Sequence, residues 1–253
     1  AGALFIAEAT SWAMAYQVMA VCMMVGVATT LLCSEPTTEV VLSGKLTGST
    51  VEKAQQWIYV AIVQPFVDFV QRYGRSGFLC LAFIGSFYVS DRVLGIMAMP
   101  FYEDIGFTKP QVATIAKFYG LWVSIFGAAA GALAVVKLGL ARCVVVASIL
   151  IVSTNLFFVL IALSGAHLPL LTLTISFDNF ALGFGSTVMI AYMSSLVNVN
   201  FTATQYALFS SINTFFGKLL AGFSGDVQLA LGWLNFFFYA AATGIPAIVL
   251  SIF

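Results

Sequence analysis

Five charged side chains stand inside apolar stretches of this chain: Asp91, Arg92, Lys117, Asp178 and Lys218. A charge in hydrocarbon costs roughly 2.5–3.5 kcal/mol on insertion scales, so such residues are usually paired, hidden in a bundle or set along a polar path. Their types define the available chemistry. A carboxyl group can take up and release a proton, and a lysine can hold an anion. Asp91, Lys117 and Asp178, with Asn179 beside the last, are therefore the candidate substrate-binding or proton-coupling residues. The competing reading is a set of salt bridges that holds helices together, with Lys218 snorkelling to the surface.

Other chemistries find less support. One histidine, His167, cannot build a histidine-rich metal site. Four cysteines (Cys22, Cys33, Cys80 and Cys143) are scattered without CxxC spacing and read as small packing residues. There is no HExxH, GxSxG or P-loop motif, so neither a metal nor a cofactor is expected and an enzyme is disfavoured. An Asp91–Asp178 catalytic pair stays formally open. The formal net charge is zero, with no basic arm for nucleic acid.

The elements that must position these residues are long and apolar. Hydrophobic residues make up 61% of the 253 positions and charged ones only 8%. Near-continuous apolar runs lie at 13–33, 77–99, 112–136, 142–164, 168–196, 204–224 and 232–253, after a helical stub at 1–7. Each suffices to cross a hydrocarbon core of about 30 Å, and none alternates like a barrel strand. The expected fold is an all-α, polytopic bundle of about seven transmembrane helices in a lipid bilayer.

Residues 34–75 differ, with Pro, Gly, Ser and Thr followed by mixed polar and aromatic positions. They read as a loop and then an amphipathic helix, interfacial or packed under the bundle, broken or kinked at Pro65. Lys45, Lys53, Arg72 and Arg75 in this loop, and Lys137 and Arg142 in a later turn, lie two crossings apart. That places both on the cytoplasmic face, which sets aside the NFT sequon at 200–202. Asp91, Lys117, Asp178 and Lys218 then fall about 12, 8, 15 and 9 Å from the opposite ends of their helices, in one outer layer. Gly127 and Gly131 form a GxxxG packing element, and Gly183 and Gly185 lie mid-helix near Asp178. Asn155, Asn213, Tyr88, Tyr119 and Tyr192 add polar groups on the apolar runs.

Several segments resemble, in order, those of the AmpG muropeptide permeases of the major facilitator superfamily. FTATQYALFSSI (201–212) resembles their SATQ-type motif, and SDRVLGIMAMPFY (90–102) the GD-x-x-x-G segment of a seventh helix. IGFTKPQVATIAKFYG (105–120) is similar to GF-x-x-x-E-[VI]-x-x-x-x-K-x-x-G, with Gln111 in place of the acid. STNLFF (153–158), FDNFALGFG (177–185) and AGFSGDVQLALGWLNFF (221–237) resemble segments of helices nine, ten and the ending. Arg92 replaces a small residue, and Asp178 replaces the usual Glu.

The resemblance implies a major facilitator fold. Residues 1–33 would be the end of an N-terminal half, a helix-five stub and helix six. Residues 34–75 would be the central cytoplasmic loop, and 76–253 a C-terminal six-helix half. The ragged ends suggest a piece of a longer protein whose N-terminal half is missing. The implied activity is proton-coupled import of anhydromuropeptides, a sugar–peptide small-molecule substrate, across the bacterial inner membrane. A related permease for a siderophore or acetyl-CoA, or a non-transporting scaffold or sensor, is the alternative. Thr204 and Gln205 belong to the family motif. They also have a local account, in which Thr202 and Gln205 form a capping box.

Overall fold

A computed structural model describes residue 6, residues 10–33, residue 59 and residues 63–252, with the side chains of Lys109 and Lys117 excepted. The expected stub at 1–7, apart from residue 6, and the 34–58 part of the loop lie outside the described residues. The described secondary structure is helical throughout. Six helices are long and apolar enough to cross a membrane: Trp12–Leu32, Gln64–Ile105, Pro110–Leu138, Leu140–Ser164, Leu168–Leu196 and Ser224–Leu250. The seventh expected span forms a 20-residue helix, Thr202–Ala221, that is more polar than these.

The chain divides into two units, Ala1–Lys45 and Leu46–Phe253. In the first, helix α1 (Trp12–Leu32) starts where the Ser11 hydroxyl accepts from the Met14 amide. It is apolar all round. Thr29 and Thr30 donate their hydroxyls to the carbonyls of Val25 and Gly26, so neither is left unbonded on this helix.

The second unit opens with α2 (Gln64–Ser86), α3 (Val89–Gly95) and α4 (Ala98–Ile105). Pro65, expected to break or kink a helix, sits in the first turn of α2, where its missing N–H is one that the helix leaves unbonded anyway; residues 60–62, just before it, lie outside the described residues. The break comes at Gly74, whose φ of 51° is open to glycine at little cost. A short α5 (Lys109–Val112) leads into a π-wound segment, Ala113–Tyr119, and then α6 (Gly120–Leu138). After it come α7 (Leu140–Ser164), α8 (Leu168–Leu196), α9 (Thr202–Ala221), α10 (Ser224–Thr243) and α11 (Ile245–Leu250).

Helix α8 packs on α6 and α7, α9 on α2 and α3, and α10 on α3 and α7. Glycine permits the closest of these approaches. A Cβ on Gly183 would strike the Ser124 carbonyl, and one on Gly127 would strike the Phe180 carbonyl. One on Gly131 would lie 2.9 Å from the Phe184 carbonyl oxygen. Backbone-to-backbone contact of this kind maximises dispersion between helices in lipid, where no hydrophobic effect pulls them together.

Two apolar clusters fill the bundle. One gathers Phe83, Phe87, Ile151, Phe184, Val188 and Phe209, and the other Phe101, Phe158, Leu171, Ile175, Phe236 and Phe237. Along α7, Ile151 belongs to the first and Phe158 to the second, and Thr154 and Asn155 fall between. On α8 the same gap holds Asp178, and on α3 Asp91 lies at its edge, between Val89 and Val93 of the second cluster. On α7 and α8 a polar step thus separates two greasy layers.

Candidate functional site

The site grows from three helices. Helix α3 is short, bounded by a non-helical Tyr88 and by the turn at Ile96. It carries Ser90, Asp91 and Arg92 between Val89 and Val93 of the second cluster. Helix α7 supplies Thr154 and Asn155, and α8 supplies Asp178. The Thr154 hydroxyl donates to the Ile151 carbonyl at 2.9 Å and lies 3.4 Å from Asp178 Oδ1. Asp91 and Asp178 are close enough for their carboxyl groups to interact electrostatically, and Tyr102 of α4 lies within reach of Asp178.

Arg92 turns from Asp91 toward α9. Its stem lies over Gly217, where a Cβ would collide with it, and its guanidinium carbon sits 5.8 Å from the Tyr88 ring centre. Asp91, Arg92, Gly95, Ile96, Lys218 and Ala221 line a cavity of about 380 Å³. Lys218, set down from the sequence as a surface-seeking lysine, therefore shares a cavity with Asp91. Among the described residues no ion pair joins Asp91, Asp178 or Lys218. Whether Lys117 completes the set of salt bridges considered from the sequence lies outside the described residues. Lys117 lies in the π-wound segment, and its side chain is outside the described residues.

Asn179 faces elsewhere. Its amide donates to the Ile175 carbonyl at 2.9 Å, and its Oδ1 accepts from Ser124 Oγ at 3.0 Å, against Gly120. It ties α8 to α6 and does not join the two carboxyls. Gly185 packs on Ile151 and Phe87. Asn213 donates from α9 to the Ile84 carbonyl of α2 at 3.0 Å.

A second polar cluster lies at the start of α2 and α9. Gln205 is buried, and all its bonding capacity is used. Its Oε1 accepts from the Asn198 amide at 2.7 Å and from Arg72 Nη2 at 3.1 Å. Its Nε2 donates to the Pro65 carbonyl at 2.9 Å and to Asp68 Oδ2 at 3.0 Å. Asp68 also accepts from Arg72 Nε and from Asn198 Nδ2, each at 2.9 Å. This corrects the expected capping box. The residue at the cap of α9 is Phe201, with no side-chain cap bond, and the Thr202 hydroxyl donates to the carbonyls of Asn198 and Val199. Gln205 bridges to a distant helix because Asp68 and Arg72 offer it charged partners, which bind more strongly than a neutral amide. Thr204 is half-buried and partnered on the same turn.

Sequence reasoning missed Ser90 as a member of the site and gave Asn155 only a generic polar role. The signal for Asn155 was present, as an amide on an otherwise apolar run between two clusters of phenylalanine and isoleucine. Asp68 and Arg72 carried an i, i+4 charge signal, but nothing local pointed to Gln205.

No family model matches the chain. It is 30% identical over 256 residues to the putative transporter AmpG 4 of Rickettsia felis, covering 100% of this chain and 59% of that protein. It is 28% identical over 251 residues to the anhydromuropeptide permease of Escherichia coli K12, covering 98% of this chain and 48% of that protein. The putative transporter AmpG 3 of Rickettsia typhi is 27% identical over 236 residues, covering 93% and 55%. The chain thus spans about half the length of the curated relatives it matches. With six membrane-length helices among its described residues it is a multi-pass, all-α protein of the bacterial inner membrane, similar in sequence to the AmpG permeases.

Proposed function

We propose that this chain is the working part of a secondary active transporter that brings peptidoglycan-derived anhydromuropeptides across the inner membrane with protons, and that it is not an enzyme. The observation that carries this reading is the polar layer. Two carboxyl groups on different helices lie at the boundary of two apolar clusters, and one of them opens to a cavity shared with Arg92 and Lys218. A carboxylate is costly in such a layer until a proton neutralises it. A site that gains and loses that proton as it faces alternate sides couples the gradient to movement. The two cationic side chains suit the carboxylates of a sugar–peptide cargo. The relatives named AmpG transporter and anhydromuropeptide permease support the same cargo.

On this reading Asp91 contacts cargo or proton at the cavity, and Asp178 is the inner carboxyl. Lys117 is a partner or cargo contact on the π-wound segment. Residues 76–253 act as a C-terminal six-helix half, joined through the 34–75 loop to residues 1–33 of an N-terminal half.

The test is uptake of labelled anhydromuropeptide into vesicles by the protein expressed from its complete reading frame, with and without a proton gradient. Gradient-driven uptake, lost in membrane-inserted Asp91→Asn or Asp178→Asn, is the expected result. No uptake by the unaltered protein refutes the cargo, and normal uptake by both variants refutes the coupling roles.

A further inference from the structure

Buried polar groups almost always find a hydrogen-bond partner, because an unmet donor or acceptor in a dry interior is costly. Asn155 breaks that rule. It is 1% exposed, and neither its Oδ1 nor its Nδ2 has a partner among the described residues. Ser90 is 0% exposed, and its Oγ is also unpartnered.

Asn155 shares a level with the carboxyl pair, and Ser90 lies about one turn from it. A Cβ on Gly185 would meet Ile151 Cδ1 at 2.7 Å and Phe87 Cε1 at 3.5 Å, which sets residues 87, 151 and 185 at one height. Four residues further, on the same faces, come Asp91 and Asn155. A Cβ on Gly244 would touch Val152 and lie 3.0 Å from Ser90 Oγ, so Ser90 and Val152 also share a height. Asn155 stands one turn beyond Val152 on that side of α7. Thr154, its neighbour, already touches Asp178. Asn155, Thr154 and the two carboxyls thus fall at one level, with Ser90 about one turn off, where α7 packs on both α3 and α8. The charged and titratable groups about it are Asp91 and Arg92 on α3, Tyr102 on α4 and Asp178 on α8.

We propose that this spot is a binding site for ordered water, held by the Asn155 amide and the Ser90 hydroxyl, and that the water links Asp91 to Asp178 as a proton path behind the cargo cavity. The chemistry is that of a buried water with two to four polar partners. An amide and a hydroxyl offer both donors and acceptors without charge, so they hold water while leaving the proton to the carboxyls. The path rests on the coupling reading given above, whereas the water site stands or falls by itself.

Two readouts keep these apart. The first is a structure of the protein from its complete reading frame, in lipid nanodiscs, at a resolution that shows ordered water. Density within hydrogen-bond distance of Asn155 and Ser90 is expected. A dry spot, or a direct protein partner for the Asn155 amide, overturns the proposal. The second compares gradient-driven uptake with exchange of labelled for unlabelled anhydromuropeptide, in the unaltered protein and in Asn155→Leu. Loss of gradient-driven uptake with exchange retained is expected, and Asn155→Ser, which leaves room and a hydroxyl for water, restores part of it. If Asn155→Leu accumulates cargo as well as the unaltered protein, the path is overturned. Uptake by the unaltered protein that ignores the gradient refutes the coupling reading and the path with it, while the density still decides the water site.

Discussion

The two polar clusters of this molecule are built on opposite terms. Around Gln205 every bonding position is taken, and two charges and two amides lock the start of α2 to the start of α9. Around Asp91 and Asp178 no ion pair forms and an amide is unbonded among the described residues, and a cavity stands open. A saturated network resists change, since breaking any part orphans the rest. An unsaturated layer has capacity left for something that comes and goes. The contrast assigns fastening to the first cluster and exchange to the second.

The largest effect should separate the two at once. Asp91→Asn and Asp178→Asn should abolish gradient-driven uptake while leaving thermal stability in detergent unchanged or higher, because each removes a buried charge. Gln205→Leu should do the reverse. Each orphaned partner costs about 1–3 kcal/mol, so a large fall in melting temperature is expected, with transport lost only as far as folded protein is lost. If Gln205→Leu folds normally and fails to transport, the division between fastening and exchange is wrong. Gly183→Ala should cost about 1–3 kcal/mol through overpacking against Ser124, read by the same melting assay. Asn155→Leu should be neutral or stabilising, since an apolar side chain replaces groups with no partner among the described residues. The smallest effect belongs to Arg72→Met. Its ion pair with Asp68 is partly exposed, and Gln205 Oε1 and Asp68 each keep another donor without it, so about 1 kcal/mol or less is expected, shrinking further at high salt.

The span positions were legible because hydrocarbon demands long apolar runs, and those runs became helices close to where they were expected. The small-residue spacing at Gly127 and Gly131 was legible for the same reason, as a pattern local to one helix. What could not be read depended on distance along the chain. Gln205 and Asp68 are 137 residues apart, and the nearby Thr202 offered a plausible partner that the fold did not use. The cavity shared by Asp91 and Lys218 arises only because α9 packs on α3. Asn155 was visible as a polar residue, but its want of a partner is a property of its surroundings.

The π-wound stretch Ala113–Tyr119 carries a geometric surplus. A turn closed by i to i+5 bonds holds one residue more than an α turn. Each residue of an α-helix turns the chain by about 100°. Converting such a turn to α winding would therefore rotate everything before it by about a quarter of a circle, while α6 stays pinned to α8 by Gly127 and Gly183. The backbone of Lys117 lies within this stretch. The helix works like a screw with a slack thread at one end, able to take up a twist locally without passing it to the fixed part of its shaft.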